Sequence, residues 1–266
     1  MQRCGTLALF ESRLVFAFDT SNHKEGVPMS RTSIAQFVAE NAEKTQNHGL
    51  FELESDRVLE VNLGPAAGSN TTMIWMKQGA MIAYTGQMKF TREGLLAQGL
   101  GNLLKKAVSG EGASLTKAEG EGKLYVADAG KRITILALQN ESVFVNGNDL
   151  IAMEATLSKE IKMMRKMSAI ASGGLFNVRV AGTGCVVFGT HGRPLVLRVQ
   201  PGRPVFTDPQ ATVLWSGNLT PEMKTDISFK TFLGRGSGES FQMMFDGDGF
   251  VVVQPYEEIM MQSDVG

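Results

Sequence analysis

From residue 58 to 63 the chain reads VLEVNL, with Leu59, Val61 and Leu63 alternating against Val58, Glu60 and Asn62. A period of two puts the apolar set on one face, as in a half-buried strand. Further runs follow: MIWMK, AMIAYTG, KLYVADAG, ITILAL, SVFVNGND, LFNVRVAG, CVVFG, LVLRV, TVLWSG, FQMMF and FVVVQP. Their spacing of roughly 8–12 residues, cut by glycines, predicts a sandwich or barrel and not βαβ units. Asn146-Gly147, between SVFV and DLIAM, predicts a hairpin turn because both residues tolerate positive φ. One early stretch has a different period. Ile34, Phe37, Val38 and Asn41/Ala42 predict a helix over 32–47, capped by Thr32 or Ser33 and ended by Gly49.

The strand pattern repeats along the chain. Moved by 62 positions, residues 112–153 lie over 174–215 without a gap, matching Gly112, Gly120, Gly122 and Gly130 to Gly174, Gly182, Gly184 and Gly192. Moved by 65, residues 172–188 lie over 237–253 and add a third G-x-G, Gly247 and Gly249. The third copy lacks its second half, whereas MIAYTG (81–86) resembles LIAMEA (150–155) and TVLWSG (212–217). The expected architecture is all-β, with three repeated β-modules in a pseudo-threefold closed arrangement. Its first module combines N-terminal strands with C-terminal ones, and closure reduces exposed sheet edges.

The connectors at 87–109, 156–171 and 218–236 then occupy equivalent places. The first two read as short helices, LLAQGLGNLLKKA and LSKEIKMMRKMSAI, and the third as more strand-like. Met29 opens a conventional start, MSRTSIAQF, so residues 1–28 are read as an N-terminal extension. Residues 29–49 hold the N-terminal helix, 50–262 a single three-module β domain, and 263–266 a tail.

Several blocks carry a resemblance. FELESDRVLEVNL, GAMIAYTG, MKFTREG, GEGASLTKAEGEGKLYVADAGK, VFVNGNDLIAME, GGLFNVRVAGTG, VFTDPQATVLWSG, TDISFKTFLGRGSGESFQM and GDGFVVVQPYEE occur in this order over about residues 48–262. Together they resemble the bacterial branch of the altered-inheritance-of-mitochondria family. The resemblance implies an all-β fold similar to the tryptophan RNA-binding attenuator protein, with pseudo-threefold repetition. It further implies kinship with a mitochondrial protein associated with inner-membrane organisation. It supplies no catalytic residue. Residues 1–28 lie outside the pattern, and GPAAGSNTT (64–72) is longer than the family's usual turn.

Charge narrows the function classes. Lys and Arg number 26 against 27 Asp and Glu, a net charge of −1 that argues against a generally basic nucleic-acid binder. With 43% hydrophobic residues there is material for a core, and no apolar run approaches the length of a spanning helix. TLALFESRLVFAF (6–18) is broken by Glu11 and Arg13 and is not read as a signal peptide. Two cysteines, Cys4 and Cys185, fit a reducing compartment, and Cys185 reads as a buried hydrophobe.

Candidate chemistry is sparse. His23, His48 and His191 are too scattered for metal-ligand spacing, and His191 reads as a solvent-facing turn residue. Neither a nucleophile elbow nor a phosphate loop of the usual spacing occurs. In LGRGSGES, Arg235, Gly236, Ser237 and Gly238 could cradle a phosphate, but a β-run follows where a helix is required, so a connector is favoured. Asp128, Asp208, Asp246 and Asp248 sit beside turn glycines, as turns demand. The densest basic cluster is Lys159, Lys162, Arg165 and Lys166 with Glu160, net +3 on a predicted amphipathic helix over 157–170. Such a helix can meet an anionic membrane or an acidic partner, or rest on the β-body with its lysines in water.

The function expected is a non-enzymatic, oligomeric β-scaffold acting through protein–protein or membrane-surface contacts, without cofactor or metal. It would be cytoplasmic or peripheral to a membrane, and a homo-oligomer. The alternative is a module binding RNA or a small ligand, a warrant from fold analogy alone; the charge and the 8% aromatic content argue against nucleic acid.

Overall fold

A computed structural model of the chain describes residues 32–43, 49–92, 115–163, 176–225 and 241–256. Two compact units divide it, 1–43 and 44–266. In the first, helix α1 spans Ile34–Asn41, and the Ser33 hydroxyl accepts a hydrogen bond from the Gln36 amide at 3.1 Å. The helix stops well short of Gly49, because Ala42 is already extended and Asn41 Nδ2 donates to the Phe37 carbonyl. None of its residues is buried, and the hydrogen bonds within it include Gln36 Nε2 to Glu40 Oε1 at 2.8 Å.

Among the described residues, the second unit is built of strands and one 3-10 turn, Pro65–Ala67. Its N-terminal part supplies β1 (Phe51–Ser55), β2 (Val58–Leu63), β3 (Met73–Lys77), β4 (Met81–Tyr84), β5 (Gln87–Arg92) and β6 (Leu115–Val126). The middle supplies β7 (Arg132–Asn146), β8 (Leu150–Glu154), β9 (Ser158–Met163) and β10 (Phe176–Thr190). Last come β11 (Leu195–Val199), β12 (Val205–Thr207), β13 (Thr212–Ser216), β14 (Glu222–Thr225), β15 (Phe241–Phe245) and β16 (Gly249–Val253). Thirteen of these form one antiparallel sheet, in the order β1-β2-β6-β3-β8-β10-β7-β13-β16-β11, with β4 and β5 on β6 and β9 on β10. The remaining three form a second sheet, β12-β15-β14. The all-β expectation is met, but the sheet is open and the expected closure is not formed.

Four further expectations are corrected. First, β16 pairs with β11 and β13 and with none of β1–β5, so no unit mixes the two ends of the chain. The half-repeat at 81–86 finds its partner within the N-terminal part, because β4 pairs with β6 and not with a C-terminal strand. Second, Asn146-Gly147 does not join paired strands. Its turn is closed by the Asp149 amide on the Asn146 carbonyl at 2.9 Å, after which β8 pairs with β3 and β10.

Third, β2 is buried on both faces: Glu60 and Asn62 lie inside along with Leu59, Val61 and Leu63. Asn62 Nδ2 donates there to the Gly49 carbonyl at 3.0 Å, while its Oδ1 is buried without a hydrogen-bond partner. Fourth, the helix expected over 157–170 begins as strand β9, pairing Ser158–Met163 along one edge of β10. Short mixed runs fit both periods, and the free amides of β10 decide for the ladder. The helix expected within 87–109 lies outside the described residues, apart from 87–92, which is strand β5.

ITILAL and SVFV join into the single strand β7. Asn140, at φ 58, is the extra residue between Gln139 and Glu141, which face Thr183 and Gly182. Asparagine tolerates this left-handed bulge, and the Thr183 hydroxyl accepts its amide at 3.0 Å.

The glycine pair of β6 sets the geometry around it. Before the pair, β6 is flanked by β3 and β5; beyond it, by β2 and β4. Gly120 and Gly122 take φ of 144 and 138, which side chains rarely adopt. A Cβ on Gly120 would strike the Gln87 carbonyl oxygen, and one on Gly122 the Thr85 carbonyl oxygen. Backbone from β5 and the turn before it therefore lies where side chains would be. By contrast Gly202, at φ 72, has open space around it. Gly122→Ala should cost more than about 3 kcal/mol, strain plus collision, and Gly202→Ala about 1 kcal/mol, strain alone. Equilibrium urea unfolding checks this, and equal costs would contradict it.

Candidate functional site

Two of the buried charged residues, Lys131 and Asp149, meet at one corner with Lys77 and Asp128. Lys77 ends β3, Asp128 opens the turn after β6, and Lys131 closes that turn through its amide on the Asp128 carbonyl at 2.8 Å. Asp149 stands at the entry to β8, held by the Gly189 amide on its carbonyl at 2.9 Å. Lys131 Nζ donates to Asp149 Oδ1 at 2.8 Å and to the Asn148 carbonyl at 3.1 Å. Lys77 Nζ donates to Asp128 Oδ2 at 2.7 Å and to the same Asn148 carbonyl at 2.8 Å. Lys131 and Asp149 are buried, so each charge depends on the other for solvation it has lost. Every group here ties one turn to another, and the arrangement acts as a clamp. A second pair, Lys123 with Glu60 at 3.3 Å, lies diagonally across β6 and β2 and accounts for the acid buried in β2.

Lys159 and Lys162 lie on β9, while Arg165, Lys166 and the loop candidates Arg235, Gly236, Ser237 and Gly238 lie outside the described residues. Lys159 does not extend into solvent: its Nζ sits 3.1 Å from the centroid of the Trp75 ring. His191 is half-buried, its ring 4.1 Å from that of Tyr256 and its amide donating to Gln254 Oε1 at 2.8 Å. Asp208 accepts the Gln210 amide, and Asp246 accepts those of Gly202 and Gly247, the turn roles expected of them. Asp128 instead takes the Lys77 ammonium.

Cys185 is half-buried and free. Burial pushes its thiol up, and the charge and hydrogen bonding of Glu154 push it further. Glu154 is held in place by accepting the Cys185 amide at 2.8 Å. The neighbouring charge and the raised pKa make this sulfur a poor nucleophile at neutral pH.

Sequence reasoning missed the corner clamp and one other feature. Strand β4 is exposed along its whole length, with Met81, Ile82 and Tyr84 in solvent, and Phe206 of β12 is exposed as well. A signal for the clamp was present: under the shift of 62, Asp149 falls on Ala211, so a charge replaces a small residue at a matched position.

Fold and site define an all-β protein whose buried charges serve architecture. Among the described residues, no group of three or more His, Cys, Asp or Glu could hold a metal ion, and no helix is long and apolar enough to cross a membrane. The model of the mitochondrial biogenesis AIM24 family matches residues 51–256, and the chain belongs to that family. An X-ray structure of a protein from Streptococcus pyogenes is similar in fold, with a TM-score of 0.62 and 21% identity over 78% of this chain and 92% of that one. Comparison with curated proteins gives no match.

Two predictions follow from these side chains. Lys131→Met or Asp149→Leu alone leaves an uncompensated buried charge and should cost about 3–5 kcal/mol in thermal unfolding, whereas the double substitution should recover much of that loss. Additive costs would contradict the clamp. In a Cys4→Ser background, Cys185 should be alkylated more slowly at pH 7.5 than a free thiol. Glu154→Gln should lower the thiol pKa and speed the reaction; an unchanged rate–pH profile would contradict the assignment.

Proposed function

We propose that the chain is a non-enzymatic, oligomeric β-scaffold acting through protein–protein contacts, built of three similar units at 58–126, 132–190 and 195–253. Register supports the units. Ile74 of β3 faces Ala118, Val143 of β7 faces Val180, and Val205 of β12 faces Phe245; the three facing residues are related by the same offsets of 62 and 65. Tyr84 of β4 faces Leu124, Met153 of β8 faces Val186, and Trp215 of β13 faces Val251, again at those offsets. The connectors also agree, since β5, β9 and β14 pair with β6, β10 and β15 before the second glycine of each motif.

One observation carries the functional reading: the large apolar side chains of β4 are exposed on a strand whose partner, among the described residues, is β6 alone. Apolar side chains on a strand edge are what a protein partner covers. Membership of a mitochondrial-biogenesis family agrees with a structural role. A second reading, contact with an anionic membrane, is favoured by exposed Ile161 on the basic strand β9, with Lys162 and the following Arg165 and Lys166 as the cations. It is weakened by Lys159, whose charge is spent on Trp75.

Native mass spectrometry of the purified protein at about 150 mM salt should show multimers without RNA or small ligand. A stoichiometric, sequence-selective RNA or a retained small molecule would overturn the scaffold reading. Flotation with phosphatidylserine vesicles, lost when Lys159, Lys162, Arg165 and Lys166 are all changed to Gln, would favour the membrane reading over protein contacts.

A further inference from the structure

Two seams in the second unit show how its parts join. At the first, β3 pairs with β8, placing Trp75 opposite Met153. At the next, β7 pairs with β13, placing Phe144 opposite Trp215. Each seam drives the centre of the β8-type strand into the core of the preceding unit. Ile151 packs with Leu59, Ile74 and Leu124, and Val213 packs with Val143, Val178 and Val186. Both Ile151 and Val213 are 0% exposed.

A third seam would join β12 to β4 by the same rule. Applying the offsets, Phe206 falls opposite Tyr84, Val205 opposite Thr85 and Thr207 opposite Ala83. Ile82, the counterpart of Ile151 and Val213, would enter the core around Trp215, Met243 and Phe245. That seam is not made within the chain: β12 pairs with β15 in the separate sheet, and β4 pairs with β6. The residues it would cover are open, with Ile82 55%, Tyr84 47% and Phe206 50% exposed. The core it would complete holds 6 buried apolar residues among those described, against 14 and 13 in the other two.

We infer that β4 of one copy pairs antiparallel with β12 of a second copy, in the Tyr84–Phe206 register, and that Ile82 enters the partner's open core. The inference rests on the three-unit reading above and adds the partner and the surface to it. What selects a second copy over an unrelated protein is complementarity already present in the chain. Strand β4 has the shape of β8 and β13, which are accepted by β3 and β7, and β12 is the remaining strand of that accepting type. Reciprocal exchange covers the β4 and β12 edges of both copies and closes as a two-fold dimer, leaving neither of these two edges to propagate.

The test uses the full chain with Cys4 and Cys185 changed to Ser. Tyr84→Cys and Phe206→Cys proteins are mixed and treated with a short bismaleimide. A covalent dimer containing one of each is expected, with little product from either protein alone. Val196→Cys mixed with Phe206→Cys should give none, although Val196 is equally exposed on β11. Independently, Ile82→Lys should weaken association at least tenfold in sedimentation velocity while leaving circular dichroism unchanged, since that side chain lies in solvent in the single chain. Linkage of 84 to 206 within one chain carrying both cysteines, with the protein monomeric, would overturn the inference by showing closure in cis. Multimers that persist without the 84–206 link would also overturn it while leaving the scaffold reading standing. A protein monomeric at all concentrations would overturn both.

Discussion

Backbone crowding at Gly120 and Gly122 is the constraint on which the architecture of the second unit turns. A long strand flanked first by β3 and β5 and then by β2 and β4 must let other backbone cross it closely at the point of change. Only a residue without Cβ permits the Gln87 and Thr85 carbonyls to lie where they do. The same motif recurs at Gly182-Thr183-Gly184, where β9 and β8 flank β10 on either side of it. At Gly247 the motif breaks the strand altogether, into β15 and β16 of different sheets. The G-x-G spacing thus marks where each long strand changes neighbours, while close backbone approach belongs to the first pair; at Gly182 a Cβ would make only ordinary contacts, and at Gly184 it would meet the Thr156 hydroxyl.

This explains why so much of the fold could be read from the residues and where reading stopped. Strand positions, the glycine offsets and the Ser33 cap are local and appear in the chain as period, spacing and side-chain type. Pairing is not local. MIAYTG resembles LIAMEA and TVLWSG, yet the sequence pattern does not say that its partner is the next glycine strand. LSKEIK carries apolar residues at spacings that suit a helix, and the vacant edge of β10 overrides them. Glu60 and Asn62 look solvent-facing by alternation, and Lys123 and the Gly49 carbonyl make their burial tolerable. The clamp of Lys131 and Asp149 joins residues from two turns, visible only once those turns meet.

Energetics assign different jobs to the two kinds of contact. The apolar contacts around β13 are aromatic: Phe144 of β7 stacks on Trp215 with centroids 5.3 Å apart, and Trp215 meets Phe245 of β15 edge-on at 5.6 Å. Such pairs contribute about 0.5–1.5 kcal/mol each beyond the area they bury. Buried charges add little net stability, because desolvation offsets much of their attraction, but they penalise any wrong docking of the turns they join. The Lys77–Asp128 and Lys131–Asp149 corner stands beside the β3–β8 seam and fixes its approach. Apolar contact supplies the driving force, and the clamp supplies the choice of partner.

If β4 and β12 are matched edges left open in the single chain, their amides must depend on protein concentration in a way that other strands' amides do not. Hydrogen–deuterium exchange measured across a dilution series tests this most directly. Peptides covering β8 and β13 should stay protected at every concentration, while those covering 81–85 and 205–207 should gain protection as the protein is concentrated. Protection of 81–85 equal to that of 150–154 at the highest dilution would contradict the account.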